Sequence, residues 1–470
     1  MNEKYIFKKV CEKDLAFFTR QAFKILEPES TYEHNWHVEV VAQNLEAVSS
    51  GLIRNLDINI APRTIKSLLV NVIYPTWVWA TEPSHKFISS SYSASLSTYF
   101  NLKRRDLIKS RFYQSLWPIR VKEDRDTQTF MENEFNGYFL STSVGGTITG
   151  KGADTLISDD LLNAKDAFSK VARDSTRLWY TQSFYNRLQN KKTGRRINVN
   201  QRLHQNDISG LLAEKYDFEK LVIPMQKVEG QVENITGWKD PREIGEFMHP
   251  TRYGEVEKQD EYEGLGTYGW SGQMQQSPTP VGGGLIKKEW MRFYEELPTS
   301  FDKKILVADL AFKDTARSDF VSYQCWGKLG IYFYLIDLVR GRWNYGNSKA
   351  NFRIFCDKHP TASLKYIEDK ANGPAMISEI QKEIRNIIAW PEKKEFKSLS
   401  KVERVLMTQP LFENGLVLLP KNISLVTDFQ DELLGFTESG STTGNDDMVD
   451  TSTMALIQLK TATRSKFSAG

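Results

Sequence analysis

Several acidic residues in this chain stand where a strand gives way to a turn, in surroundings suited to divalent-cation chemistry. Across residues 145–161 a glycine-rich turn leads to a short apolar strand, Leu156-Ile157, and then to adjacent carboxylates, Asp159 and Asp160. Paired acids at the end of a buried strand are costly without a cation, and magnesium beside a nucleotide phosphate is the usual one. A surface turn with two solvated acids is the competing reading. Upstream, the alternating stretch Leu56–Ile60 runs into Ala61-Pro-Arg-Thr-Ile-Lys-Ser67 and the apolar run Leu68–Ile73. Strand, tight loop, Lys-Ser and helix is the layout of a phosphate-binding loop. Lys66 would reach the terminal phosphates, Ser67 would bind magnesium, and the helix N-terminus would face the anion. The standard glycine positions hold Ile60 and Ile65, so a plain strand–loop–helix connection competes here too.

A third strand, Arg195–His204, ends in polar groups, with Asn200, Gln201 and Arg202 where open α/β sheets bind ligands. Lys66, Asp159 and Arg202 each follow a strand in a repeating strand–helix order. A parallel sheet would gather them on one edge, and the chemistry they share is nucleotide hydrolysis.

These residues resemble the large subunit of a tailed-bacteriophage terminase, the motor that packages viral DNA. The resemblance rests on Pro62-Arg63-x-x-Lys66-Ser67, the turn Gly146–Asp154, the acid pair in Ser158-Asp-Asp-Leu161, the segment Gln201–Gly210 and Trp270–Pro278. Thr64-Ile65 stands where many relatives have His-Gly, and Asp160 where many have glutamate. The resemblance implies an α/β chain: an N-terminal P-loop ATPase on a mostly parallel sheet, then a C-terminal RNase H-like nuclease. Arg63, Thr64 and Lys66 would hold ATP phosphates, and Ser67 and Asp159 the Mg2+. Asp160 would position water and Arg202 would sense the γ-phosphate. Arg173, Arg177 and Arg187 are candidates for a residue supplied to a neighbouring subunit. The implied partners are double-stranded DNA, a portal protein, a small terminase subunit and further copies in a ring. The implied location is the host cytoplasm and, transiently, the procapsid. A helicase-nuclease of repair or plasmid origin would use the same sites. A virion structural protein with cation-binding acids is the non-enzymatic alternative.

The second half repeats the acid-at-strand-end theme. Lys304–Asp309 is a strand ending in a carboxylate, followed by an acidic loop, 314–319, and strands at Phe320–Trp326 and Ile331–Leu338. An Asp-bearing strand followed by an antiparallel meander is how an RNase H-like sheet begins. Lys365–Asp369 is another strand ending in acids, and Gly444–Asp450 opens a helix. Acids converging from separate elements suit two divalent ions about 4 Å apart that clamp a scissile phosphate; Mg2+ is expected, and Mn2+ would serve. The resemblance assigns Asp309 and the pair Asp446/Asp447. Glu368 and Asp369 stay unseparated, because adjacent strand residues face opposite ways. Asp450, one turn on, is a supporting or alternative ligand.

Positioning such groups needs a large scaffold. The chain has 470 residues, 40% hydrophobic and 26% charged, enough for two or three domains. The expected division is an ATPase over 1–225, a glycine-punctuated linker over 226–300 and a nuclease over 301–470. Net charge is only +3, so a nucleic-acid surface must come from local clusters. One candidate is the basic helix carrying Lys103, Arg104, Arg105, Lys109 and Arg111. Apolar spacing predicts helices over 5–25 and 36–50, a long polar helix over 164–190 and a helix restarting at Lys287–Tyr294. Cys11, Cys325 and Cys356 form no CxxC pair, which points to a reducing compartment and away from a zinc ribbon. His34 and His37 lack the neighbours a metal site needs. Leu68–Ala80 is too short to span a bilayer and holds Pro75. A soluble, cytosolic protein is expected.

Overall fold

The alternating residues Asn55–Ile60 form β1, the strand that delivers the chain to the Lys66 loop. The computed structural model describes residues 3–148, 150–229, 234–278, 284–309, 320–369, 373–393, 396–397, 399–421, 425–437, 440–441 and 445–461. The acidic loop 314–319, Asn372 and Gly444 lie outside the described residues. The chain divides into two compact units, Met1–Tyr262 with Thr267–Thr279, and Glu263–Gly266 with Pro280–Gly470. The span 226–300 is thus shared between the two units. No helix among the described residues is long and apolar enough to cross a membrane.

In the first unit β1 is followed by β2 (Lys86–Ser91), β3 (Val121–Asp126), β4 (Phe130–Asn133), β5 (Tyr138–Ser143), β6 (Thr155–Asp159), β7 (Arg195–Asn200) and β8 (Glu219–Ile223). They form one sheet in the order β3-β4-β5-β2-β6-β7-β1-β8. From β5 to β8 every pairing is parallel, and β3 and β4 add an antiparallel edge. A parallel sheet covered on both faces buries its strands almost entirely, as β6 is at every position. The carboxyl ends of β1, β7 and β6 therefore lie side by side, as the sequence order predicts.

Local chemistry sets where helices begin and break. The first amphipathic stretch is two helices, because Asp14 accepts the N–H of Phe17 and starts a second one at Leu15–Leu26. The span 164–190 is likewise broken. Ser169 caps a helix over Lys170–Trp179, and a π-turn over Tyr180–Phe184 continues it. The run after the Lys66 loop is a π-helix, Leu68–Ile73, passing into an α-helix at Tyr74–Thr81. Pro75 has no N–H to give the carbonyl of Asn71, four residues back. Arg104 Nη1 donates to that carbonyl instead, at 3.0 Å.

That contact corrects the basic helix, which is Ala94–Lys109. Arg104 is fully buried, holding Ser89 and Ser141 as well as Asn71. Lys103 pairs with Glu27, and Arg105 and Lys109 pair with Asp126. Arg104 is thus spent on internal packing, whereas Lys109 is half exposed and Arg111 stands exposed at the start of the next helix, Arg111–Leu116.

The second unit holds β9 (Arg292–Tyr294), β10 (Lys303–Asp309), β11 (Val321–Leu329), β12 (Tyr332–Gly341), β13 (Leu364–Glu368), β14 (Ile387–Trp390) and β15 (Val417–Pro420). Their order is β14-β13-β10-β11-β12-β15-β9. β10, β11 and β12 form the expected antiparallel meander, and the other pairings are parallel. The helix expected over Lys287–Tyr294 is a single 3-10 turn and then β9, because pairing with β15 overrides local helical spacing. The helix Asp447–Thr461 is fixed to β11 by polar groups. Gln324 donates to the Met448 carbonyl at 2.9 Å, and Ser322 meets Thr451 at 3.1 Å. Each such buried bond contributes about 1 kcal/mol and fixes the helix's position along the strand.

Candidate functional site

The Lys66 loop makes its tight turn without glycine. Arg63 and Ile65 both take positive φ, 64° and 56°. At a β-branched residue this costs about 1–2 kcal/mol, and the Thr64 hydroxyl, donating to the Ala61 carbonyl at 2.9 Å, helps hold it. Ser67 Oγ then donates to Asp159 Oδ1 at 2.9 Å, and Lys66 Nζ lies 3.1 Å from Asp160 Oδ2. Asn71 Nδ2 holds the other Asp159 oxygen at 3.3 Å, and Arg104 in turn holds Asn71. Burial, and then the charge of Asp160, push the Asp159 carboxyl up to about 7. An acid so placed gains from a cation, and a cation there would share it with Ser67.

Arg202 and its neighbours divide their work. The Gln201 N–H donates to Asp160 Oδ1 at 3.0 Å. Arg202 Nε lies 3.0 Å from Asp207 Oδ2, and Asp207 also caps the helix Ile208–Lys215. Asn200 turns into a polar seam shared with Asp57, Asn59, Asn198 and Ser209. Arg173 donates to the Ala167 carbonyl, Arg177 to Glu214 and Arg187 to the Ser183 carbonyl.

Beside the loop, within the same unit, lies a cavity of about 350 Å³ lined by Pro62, Arg63, Ile65, His37, Tyr253 and Met274 among others. His37 Nε2 is 3.3 Å from the Thr64 carbonyl. Burial pulls the His37 imidazole down to about 4, so it is neutral near pH 7. Among the described residues His37 Nδ1 and the Tyr253 hydroxyl have no hydrogen-bond partner although buried. The lining mixes apolar side chains with charged ones, Glu33, Arg252, Glu257, Asp260 and Glu261, so the apolar part beside the loop has room for a flat heteroaromatic ring. The lining comes from scattered sequence positions, so no single stretch discloses this cavity.

In the second unit, Asp309, Glu368 and Asp450 bring one carboxylate oxygen each within 4.8 Å of one another, all buried. Register explains the choice between the adjacent acids. Ala308 pairs with Ile367 in parallel strands, so Asp309 and Glu368 are neighbours on one face. Asp369 points away and is exposed, its N–H on the Trp390 carbonyl. Burial, then Glu368 and Asp450, push the Asp309 carboxyl well above its ordinary value. Burial raises Asp450 too, against Arg404 and Lys401. Three buried acids with this mutual repulsion fit a divalent cation, whose ligands are carboxylate oxygens.

The family model for the terminase RNase H-like domain matches residues 306–459. Those residues carry the RNase H-like fold. The crystal structure of the large terminase from a thermophilic bacteriophage matches at 12% identity with a TM-score of 0.51, covering 94% of this chain and 99% of that one. The same large terminase in complex with ADP matches at 12% identity and a TM-score of 0.50, with coverage of 94% and 99%. No curated protein sequence matches the chain. Over nearly its whole length the fold is thus similar to that of a phage large terminase, and residues 306–459 match the family model of the terminase RNase H-like domain.

Within this stretch the acids at the start of the last helix separate by partner. Asp450 joins Asp309 and Glu368. Asp446 meets Lys401 at 2.7 Å, and Asp447 meets Arg340 at 3.2 Å. Arg404 was missed in the sequence. It is buried on the helix Lys401–Glu413 and spans Glu368 Oε1 and Asp450 Oδ1 at 3.0 and 3.1 Å. The available signal was the capping box Ser400-Lys-Val-Glu403, which starts a helix with Lys401 and Arg404 on one face.

Proposed function

We propose that this terminase chain is an ATP-driven translocase of double-stranded DNA joined to a metal-dependent endonuclease. It would move DNA into a procapsid and cut the concatemer at the start and end of packaging. Residues 1–225 would form the motor and 301–470 the nuclease, with 226–300 between them. The observation that carries this reading is the presence of two separate acid sites on one chain, Ser67–Asp159 beside Lys66 and the Asp309–Glu368–Asp450 cluster. The large terminase of the thermophilic phage, solved with ADP, supports a nucleotide at the first.

In this mechanism the nucleobase enters the cavity beside His37 and Tyr253, whose unpartnered polar atoms meet its edge. Arg63 and the backbone of the loop surround the phosphates. Lys66 leaves Asp160 for the γ-phosphate, which frees the Asp160 carboxylate to orient the attacking water. Gln201 ties that carboxylate to the end of β7, and the Arg202–Asp207 pair carries any shift into the helix behind it. In the second unit Asp309, Glu368 and Asp450 would hold divalent cations, with Asp447 on the same helix as Asp450 and Asp446 just before it. Divalent ions at the two sites supply charge neutralisation of phosphate and a more acidic water. The chain would work as a ring on a portal protein, loaded by a small terminase subunit, in the host cytoplasm.

The test is packaging in vitro. Portal-bearing procapsids, DNA and ATP should yield DNA protected from added nuclease, and Lys66→Ala should abolish protection. Unwinding of a forked duplex without protection would point to a helicase-nuclease instead.

A further inference from the structure

The acid cluster of the second unit comes with cations of its own. Both oxygens of Asp450 are engaged, Oδ1 with Arg404 Nη2 at 3.1 Å and Oδ2 with Lys401 Nζ at 2.6 Å. Lys401 also meets Asp446 Oδ2 at 2.7 Å. A divalent ion shared by Asp309, Glu368 and Asp450 must therefore compete for Asp450. The two basic residues differ in freedom. The Arg404 side chain is 1% exposed, bonded to Glu368 and 5.2 Å from the centroid of the Trp390 ring. It is fixed. The Lys401 side chain is 40% exposed and begins its helix. An ammonium on a flexible four-carbon stem exchanges one anion for another at little cost, whereas a planar, packed guanidinium does not.

We propose that Lys401 is a built-in competitor for the cation of this site, and that it lets go of Asp450 when a nucleic-acid phosphate takes its ammonium. Metal loading is then tightened by the substrate, and the free chain is kept poorly loaded and slow to cut. This rests on reading Asp309, Glu368 and Asp450 as a cation site. It adds a role for a residue that such a site does not require.

The test is calorimetric titration of Mn2+ into the full chain without nucleotide. The heat lost in Asp309→Asn defines this site. Lys401→Met should bind Mn2+ about ten-fold more tightly than the wild type, because one positive charge beside a ligand oxygen is gone. Lys401→Arg keeps the charge and should stay near the wild type. A duplex with phosphorothioate linkages should tighten Mn2+ binding to the wild type and leave Lys401→Met unchanged. Lys401→Gln gives the same comparison should the methionine variant fail to fold. Equal or weaker binding in the neutral variants, with Asp309-dependent heat present, overturns the proposal alone. No Asp309-dependent binding in any variant overturns the cation site and the proposal together.

Discussion

Glu368 and Asp369 are neighbours of the same charge, and a two-residue strand period separates their fates. Glu368 is 5% exposed beside Asp309, while Asp369 faces outward. Glu368→Gln should lower the nicking rate of supercoiled plasmid in Mn2+ by about a hundred-fold or more, and Asp369→Asn should change it little. The same contrast should hold for Asp450→Asn against Asp446→Asn. An Asp369→Asn variant as inactive as Glu368→Gln would mean that the β10–β13 register is wrong. At the other site, Asp159 makes a pH prediction. Its carboxyl, raised by burial and by Asp160 to about 7 from 3.8, keeps a proton in the folded chain that the unfolded chain has lost. Between those values the folded state binds more protons, so this group's contribution to metal-free stability is complete below about pH 4 and falls as pH rises toward 7. Urea midpoints across that range should fall less in Asp159→Asn than in the wild type. Parallel curves would remove Asp159 as the cause.

Strands β1 and β7 are joined by more than their backbone ladder. Asp57 pairs in register with Asn198 and Asn59 with Asn200, and all four side chains are buried together with Ser209. Asp57 Oδ1 takes bonds from Asn198 and Ser209 at 2.7 and 2.8 Å, but Oδ2 has no hydrogen-bond partner. Burial raises this carboxyl, so the seam accommodates a neutral group better than a charge. Asp57→Asn keeps an accepting oxygen and should leave stability at pH 7 unchanged or raise it by about 1 kcal/mol, read from urea unfolding. A loss of that size would show that the charge is needed. The alternation of Leu56–Ile60 made the strand legible. Nothing in a single strand discloses its partner, so the seam was not. Elements with strong local signals were read well, such as the Asp309 strand and its antiparallel meander. Those set by tertiary partners are not legible in a local stretch. Pairing with β15 turned an apparent helix into β9, and Arg104 went to a carbonyl that Pro75 cannot satisfy. The Lys66 loop was legible in its lysine and serine but not in its backbone, because Ile65 takes a conformation its side chain disfavours.

Every residue of the phosphate-loop site belongs to the first unit, and every residue of the Asp309 cluster to the second. The two chemistries should therefore separate by mutation. If the proposed function holds, removing the Lys66 ammonium takes away a charge that would meet the transferring phosphate, worth about a hundred-fold or more in turnover. Lys66→Ala should lose ATP hydrolysis and keep the plasmid-nicking rate measured in Mn2+ without nucleotide. Asp309→Asn should lose nicking and keep ATP hydrolysis within a few-fold. Neither substitution should unfold the other unit's core, since Lys66 reaches only Ile60 of β1 and Asp160 after β6, and Asp309 ends β10 between β11 and β13. The measurement is both rates on both variants of the full chain, beside the wild type. Loss of both activities in both variants would mean that the sites share a structural dependency not expressed in either unit's own hydrogen bonds. Loss of neither would end the assignment of Lys66 and Asp309 to chemistry and leave the acids as structural cation holders.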